Sequence, residues 1–164
     1  MTARLAKIAM TLALAAFALV VTYDNLVDYG SNFVFVRHVL SMDTTFPGNA
    51  LMGRAVTHPV MWHVAYVSII AAEGVTGVLL LTGAIALWRM RRASGAAFDA
   101  AKRWAVAGCT LGFLLWFVGF MVIGGEWFAM WQSTAWNGQE GAFRFYMPLL
   151  GVLVFVNQRD SDLT

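Results

Sequence analysis

The sequence predicts an all-α protein, a four-helix transmembrane bundle with a structured cap on its outer face that includes a short amphipathic helix. Three observations predict it. Of 164 residues, 60% are hydrophobic and only 12% are charged, about half the charge of a typical soluble domain. The apolar residues cluster into runs suited to crossing about 30 Å of hydrocarbon. Most Lys and Arg residues fall at one side of those runs, as the positive-inside rule expects. The mean hydropathy of +0.68 agrees. The composition excludes intrinsic disorder, and the single cysteine, Cys109, excludes a disulfide scaffold. The basic residues are scattered along the chain rather than gathered into one patch, so nucleic acid is not an expected partner. The lipid bilayer is.

The spans are expected at about 5–23, 60–88, 104–123 and 142–157, within one integral membrane domain covering 1–164. The first carries one charge, Lys7, near its start, where it can snorkel to the interface. A signal-peptide reading of this run is weakened by its length and by Tyr23-Asp24-Asn25, which offers no small-x-small cleavage site. The second span is long and contains Glu73 near its middle. The third carries no charge. The fourth is the weakest, with Arg144 and Pro148 inside it, so a short or kinked span is expected.

Arg4, Lys7, Arg89, Arg91, Arg92, Lys102, Arg103 and Arg159 fall on one side, against Arg37, Arg54 and Arg144 on the other. Both termini and the 89–103 loop are therefore expected in the cytoplasm, with 24–59 and 124–141 facing outward. Trp88 and Trp104 mark the inner interface, and Trp62, Trp127, Trp131 and Trp136 the outer one. The tail 157–164 is short and polar and is expected to fray.

Small residues predict how the spans pack. The third span has a GxxxG motif at Gly108 and Gly112, with Gly119 continuing that face. The second offers Ser68, Ala72 and Thr76, and the first Ala9, Ala13 and Ala16. These faces serve either the monomer's own packing or a homo-oligomer.

The outer segments hold the unusual residues. Ser31-Asn32 is expected to cap a short helix running to Met42. Phe33, Val36 and Leu40 would share one face and Arg37 and Ser41 the opposite one, which makes the helix amphipathic. Thr57-His58-Pro59 reads as the start of the second span, with Pro in its first turn. The segment 124–139 mixes Trp127, Trp131, Trp136, Phe128 and Met130 with Gln, Ser and Asn. That mixture suits either a partner surface or an interfacial anchor. Phe33, Asp43, Trp127, Trp131, Trp136 and Asn137 are the candidate interface residues.

Two long stretches carry a resemblance: LVDYGSNFVFVRHVLSMDTTFPGNAL at Leu26–Leu51 and GGEWFAMWQSTAWNGQEGAFRF at Gly124–Phe145. Together with the four-span plan they resemble the DUF2165 family of predicted small integral membrane proteins. The resemblance implies a bacterial inner-membrane protein, which would make the outer cap periplasmic. It supplies no activity.

Candidate chemistry is limited. All three histidines, His38, His58 and His63, fall in the outer half together with most methionines. His and thioether donors suit copper, and His38 and Met42, four apart, could share one helical face. No HxxxH, HxH, MxxM or CxxC occurs, and Met is also an ordinary core filler. A metal site would draw on His38, Met42, His58 and His63. Glu73 is the second candidate, because a charge at mid-span costs about 2.5–3.5 kcal/mol on insertion scales. Tyr66, Cys109, Thr110 or an outer histidine could share its proton. It serves as a proton relay or as a polar latch between helices, and the lack of a second intramembrane carboxylate favours the latch.

The function expected from these residues is a non-catalytic accessory or scaffolding subunit. It would meet a larger membrane or periplasmic complex through its aromatic outer face. The alternative is an outer-side site for copper, protons or quinone built on the histidines, methionines and Glu73. An independent enzyme has little room in a chain with almost no soluble domain.

Overall fold

The computed structural model describes residues 1–163. Their only regular elements are helices, with no strand among them. Helix α1 is Thr2–Val27, α2 Tyr29–Ser41, α3 Pro59–Met90, α4 Gly95–Ala101, α5 Arg103–Leu114 and α6 Gln139–Asn157. Three helical stretches, Thr2–Val27, Pro59–Met90 and Gly95–Trp127, are long and apolar enough to cross a membrane. Helix α6 has 19 residues with Pro148 inside, a length of about 28 Å at about 1.5 Å per residue.

Helix α3 is the centre of the packing, with α1 along one side and α5 along the other. Helix α6 lies on α5 and meets α1 only lightly. Glycines set the closest approach. A Cβ on Gly83 would stand 2.5 Å from the Ala105 backbone nitrogen, and one on Gly108 2.9 Å from that of Leu80. One on Gly112 would meet Leu149 and Thr76. The GxxxG motif is therefore spent inside the monomer.

Two of the expected small-residue faces are different ones. On α1, Ala9, Ala13 and Ala16 are exposed, and Thr11, Ala15 and Ala18 form the buried stripe. On α3, Ser68 is exposed and bonds back to the Val64 carbonyl, while Thr76 and Gly77 are buried. Gly119 is not in the packed face either, having no neighbour within 4 Å of a built Cβ. Its displacement has a local cause. From Leu115 to Trp127 the helix is π-wound, and the Phe128 N–H donates to the Ile123 carbonyl, five residues back, at 2.9 Å. A wider turn moves Gly119 off the line that Gly108 and Gly112 define.

The ends of the elements follow local chemistry. Pro59 occupies the first turn of α3 behind an extended His58, as the sequence suggests. Helix α2 starts at Tyr29, two residues ahead of the expected cap, and the Ser31 hydroxyl instead donates to the Asp28 carboxylate at 2.6 Å. It ends at Met42, whose φ of 54° lies in the left-handed region. Its apolar face packs Val36, with Phe33, Phe35 and Leu40, on Tyr66 and Ile70 of α3.

One end of the molecule is held by charge. Lys7 does not snorkel, and the tail is held in place as far as Asp162. Lys7 is 2% exposed, and its Nζ donates to the Asp160 carboxylate at 2.5 Å and to the Gln158 carbonyl at 2.6 Å. Lys102 donates to the same carboxylate at 2.6 Å and to Asp99 at 2.5 Å. Arg4 is buried and donates to the carbonyls of Arg91, Ala93 and Ser161. The 89–103 connection, expected as a plain loop, contains α4, capped by Ser94. A Cβ on Gly95 would collide with the Asp160 carbonyl, so the tail lies directly on the start of α4. These contacts join both chain ends and the α3–α4 connection at one basic end.

At the opposite, aromatic end the segments between α2 and α3 and between α5 and α6 close over each other. Thr44 donates to Ser133 at 2.8 Å, and the Phe46 N–H to Gln132 at 3.0 Å. Arg54 lies 4.6 Å over the Trp127 ring. Met42, Phe128 and Ala129 form a small buried cluster beneath.

Candidate functional site

The site is a cavity of about 370 Å³, open on one side, between α1, α2, α3, the π-wound segment and α6. Its polar wall comes from Asp24 and Asn25 of α1, Asn32 of α2, and Tyr66 and Glu73 of α3. Its apolar wall includes Phe35, Trp116, Phe120 and Phe145. The π-winding brings Trp116 and Phe120 to this wall, and Gly138 and Gly141 keep the start of α6 thin beside it.

Glu73 is the focus of the hydrogen bonds. It is 3% exposed, and its Oε2 accepts a bond from Asn25 Nδ2 at 2.8 Å. Asn25 Oδ1 in turn accepts from Asn32 Nδ2 at 2.6 Å and from the Tyr66 hydroxyl at 3.2 Å. The chain Glu73–Asn25–Asn32/Tyr66 ties α1, α2 and α3 together. Glu73 Oε1 makes no hydrogen bond among the described residues. Tyr66 is one of the expected neighbours, reached through Asn25, whereas Cys109 is packed in the apolar core and Thr110 is exposed. Asn25 and Asn32 were not foreseen. Their only sequence signal is a pair of amides seven apart, flanking the Asp28 turn between two helices.

The histidines and methionines do not gather. His38 Nδ1 donates to Asp43 at 2.9 Å, its Nε2 accepts from Arg37 at 3.1 Å, and its ring stacks on Trp136 at 4.6 Å. Both ring nitrogens are thus engaged, and the Arg37 bond fixes the proton on Nδ1. His63 pairs with the Tyr29 hydroxyl at 2.8 Å and stacks on Phe33 at 4.2 Å. His58 is exposed at the start of α3. Met42 does not share a helical face with His38, because the left-handed turn carries it past the end of α2 and into the Phe128 cluster. Among the described residues, no three His, Cys, Asp or Glu side chains are grouped to hold a metal ion.

The candidate interface residues divide. Trp127 and Trp131 are 55% and 49% exposed, and Asn137 is exposed. Trp136 and Phe33 are half-buried under the His38 and His63 rings, and Asp43 is engaged by His38.

The comparison with protein families agrees with this architecture. The model of the DUF2165 family, predicted small integral membrane proteins, matches residues 3–159. The chain belongs to the DUF2165 family. The match takes in the whole Glu73 cavity and both closing segments of the aromatic end. No curated protein and no solved structure matches this DUF2165 chain.

Proposed function

We propose that this DUF2165 chain is a membrane-embedded binding protein whose working part is the Glu73 cavity. The observation that carries the reading is a nine-tenths-buried carboxyl, held at one oxygen by Asn25 and presenting the other, without a partner, in a cavity wall. A lone carboxylate is costly in such a place, so a proton or a ligand must neutralise it. Exchange of the two is the elementary step the cavity is built for. The Asn25 bond also serves as the latch between α1 and α3.

In this reading α6 is a fourth span, and the protein lies in a bacterial cytoplasmic membrane with both termini and α4 in the cytoplasm. The eight-to-three distribution of Lys and Arg supports that orientation. The aromatic end is then a periplasmic cap, and the cavity opens below it.

A hydrophobic carbodiimide, which modifies protonated carboxyls in apolar surroundings, tests the reading. Glu73 should be the labelled residue in purified protein, and labelling should fall as pH rises. Glu73→Gln should stay folded, since an amide oxygen still accepts from Asn25, and should lose the label. An unlabelled Glu73 in folded protein would show the carboxyl to be sealed and structural only.

The exposed Trp127 and Trp131 favour a second reading, an accessory subunit that meets a larger complex through its aromatic end. Purification in mild detergent should then retain a partner at fixed stoichiometry, and Trp127→Ala with Trp131→Ala should release it. A chain that purifies alone opposes this.

A further inference from the structure

The walls of the Glu73 cavity are uneven in charge. Two carboxyl groups line it, Glu73 within and Asp24 at the exposed rim. No Lys, Arg or His does. The nearest cation along α6, Arg144, is turned to the groove between α1 and α6 and is paired with Glu140 at 2.5 Å. Asp24 has no ion pair among the described residues. Asn25, Asn32 and Tyr66 each donate once within the network around Asn25 and Glu73. Glu73 Oε1 and the Asp24 carboxylate are left as acceptors without a partner. Around them stand the rings of Trp116, Phe120 and Phe145, whose faces attract positive charge. The π-wound segment, α2 and α6 contribute no titratable side chain to this wall.

We propose that this cavity binds a lipophilic organic cation, with Glu73 and Asp24 as its counter-charges and the aromatic rings around its apolar body. The proposal rests on the reading of Glu73 as an exchangeable site and names what exchanges there. A neutral ligand such as a quinone would leave both carboxyls without a counter-charge. An anion would face two carboxyls. An organic cation satisfies both the charge and the apolar area, and the cavity's volume lies in the range of ligand pockets. When the cation enters, Glu73 gives up its proton to solvent, so cation and proton compete for one carboxylate.

Tetraphenylphosphonium and tetraphenylborate, equal in shape and opposite in charge, make the test, with decylubiquinone as the uncharged probe. Each is added to purified full-length protein before the carbodiimide. Tetraphenylphosphonium should protect Glu73 from labelling, and neither of the others should. In direct binding, Glu73→Gln should weaken tetraphenylphosphonium by about tenfold or more, and Asp24→Asn by a smaller factor. Loss of the dependence on pH in Glu73→Gln would mark the competing proton. Protection by decylubiquinone or tetraphenylborate, or by no probe at all, would overturn the cation assignment while leaving Glu73 an accessible carboxyl. A Glu73 that never takes the label would remove the site itself, and the assignment with it.

Discussion

Asp160→Ala should destabilise the protein by about 3–5 kcal/mol, the cost expected when one partner of a buried ion pair is removed. The carboxylate is 7% exposed and takes hydrogen bonds from both Lys7 and Lys102, with Arg4 Nε 3.9 Å away. Without it, two ammonium groups with little solvent share one pocket and keep only carbonyls and Asp99 as partners. Thermal unfolding in detergent, followed by the monodisperse fraction, reads the loss. Replacing Lys7 and Asp160 together by leucine should cost less than Asp160→Leu alone, because Lys102, the one ammonium left, keeps Asp99 as its partner. A tail that merely lay against the bundle would give additive, small effects instead.

Acid should reproduce the first change. Burial pushes the Asp160 carboxyl up, but the hydrogen bonds from Lys102 and Lys7 outweigh it and hold the carboxyl below the usual carboxylate range. A group whose folded pKa is depressed stabilises the fold above its unfolded value, and that contribution is lost as pH falls through the folded one. The wild type should therefore lose stability below the ordinary aspartate range, and Asp160→Asn should show a flatter acid limb.

The basic end also shows where sequence reasoning stops. Membrane crossing is legible because lipid leaves no other place for runs such as 104–123, and the start of α3 is legible because Pro59 fits only a first turn. Glu73 stands out for the same reason, as a charge at mid-span. The pairing of Lys7 with Asp160 spans 153 positions, and no local pattern encodes it. Orientation rules explain the basic residues well enough that no partner is sought for them. The buried stripe of α1 is hidden for a different reason. Lipid is as apolar as leucine, so an all-apolar helix does not advertise which face meets protein. The exposed Ala9, Ala13 and Ala16 are as small as the buried Ala15 and Ala18. The cavity depends on Asn25, which looks like the polar end of a span until α1 is seen to continue to Val27.

Winding is equally silent in composition, and it takes Gly119 off the face of Gly108 and Gly112. Gly83→Ala should cost about 2–3 kcal/mol. The added methyl would sit 2.5 Å from the Ala105 nitrogen and 2.8 Å from its Cα. Both atoms are backbone and cannot swing aside, so α3 and α5 must part and lose the seam that Leu80, Gly108 and Cys109 fill. Gly119→Ala carries the opposite sign. Nothing lies within 4 Å of the new Cβ, and a helical glycine replaced by alanine gains about 0.5–1 kcal/mol from reduced freedom of the unfolded chain. The melting temperature should fall in the first variant and rise in the second. A loss at Gly119 equal to that at Gly83 would mean that regular α-helical winding continues past Leu115. The face begun by Gly108 and Gly112 would then run unbroken, and Trp116 and Phe120 would leave the wall of the Glu73 cavity.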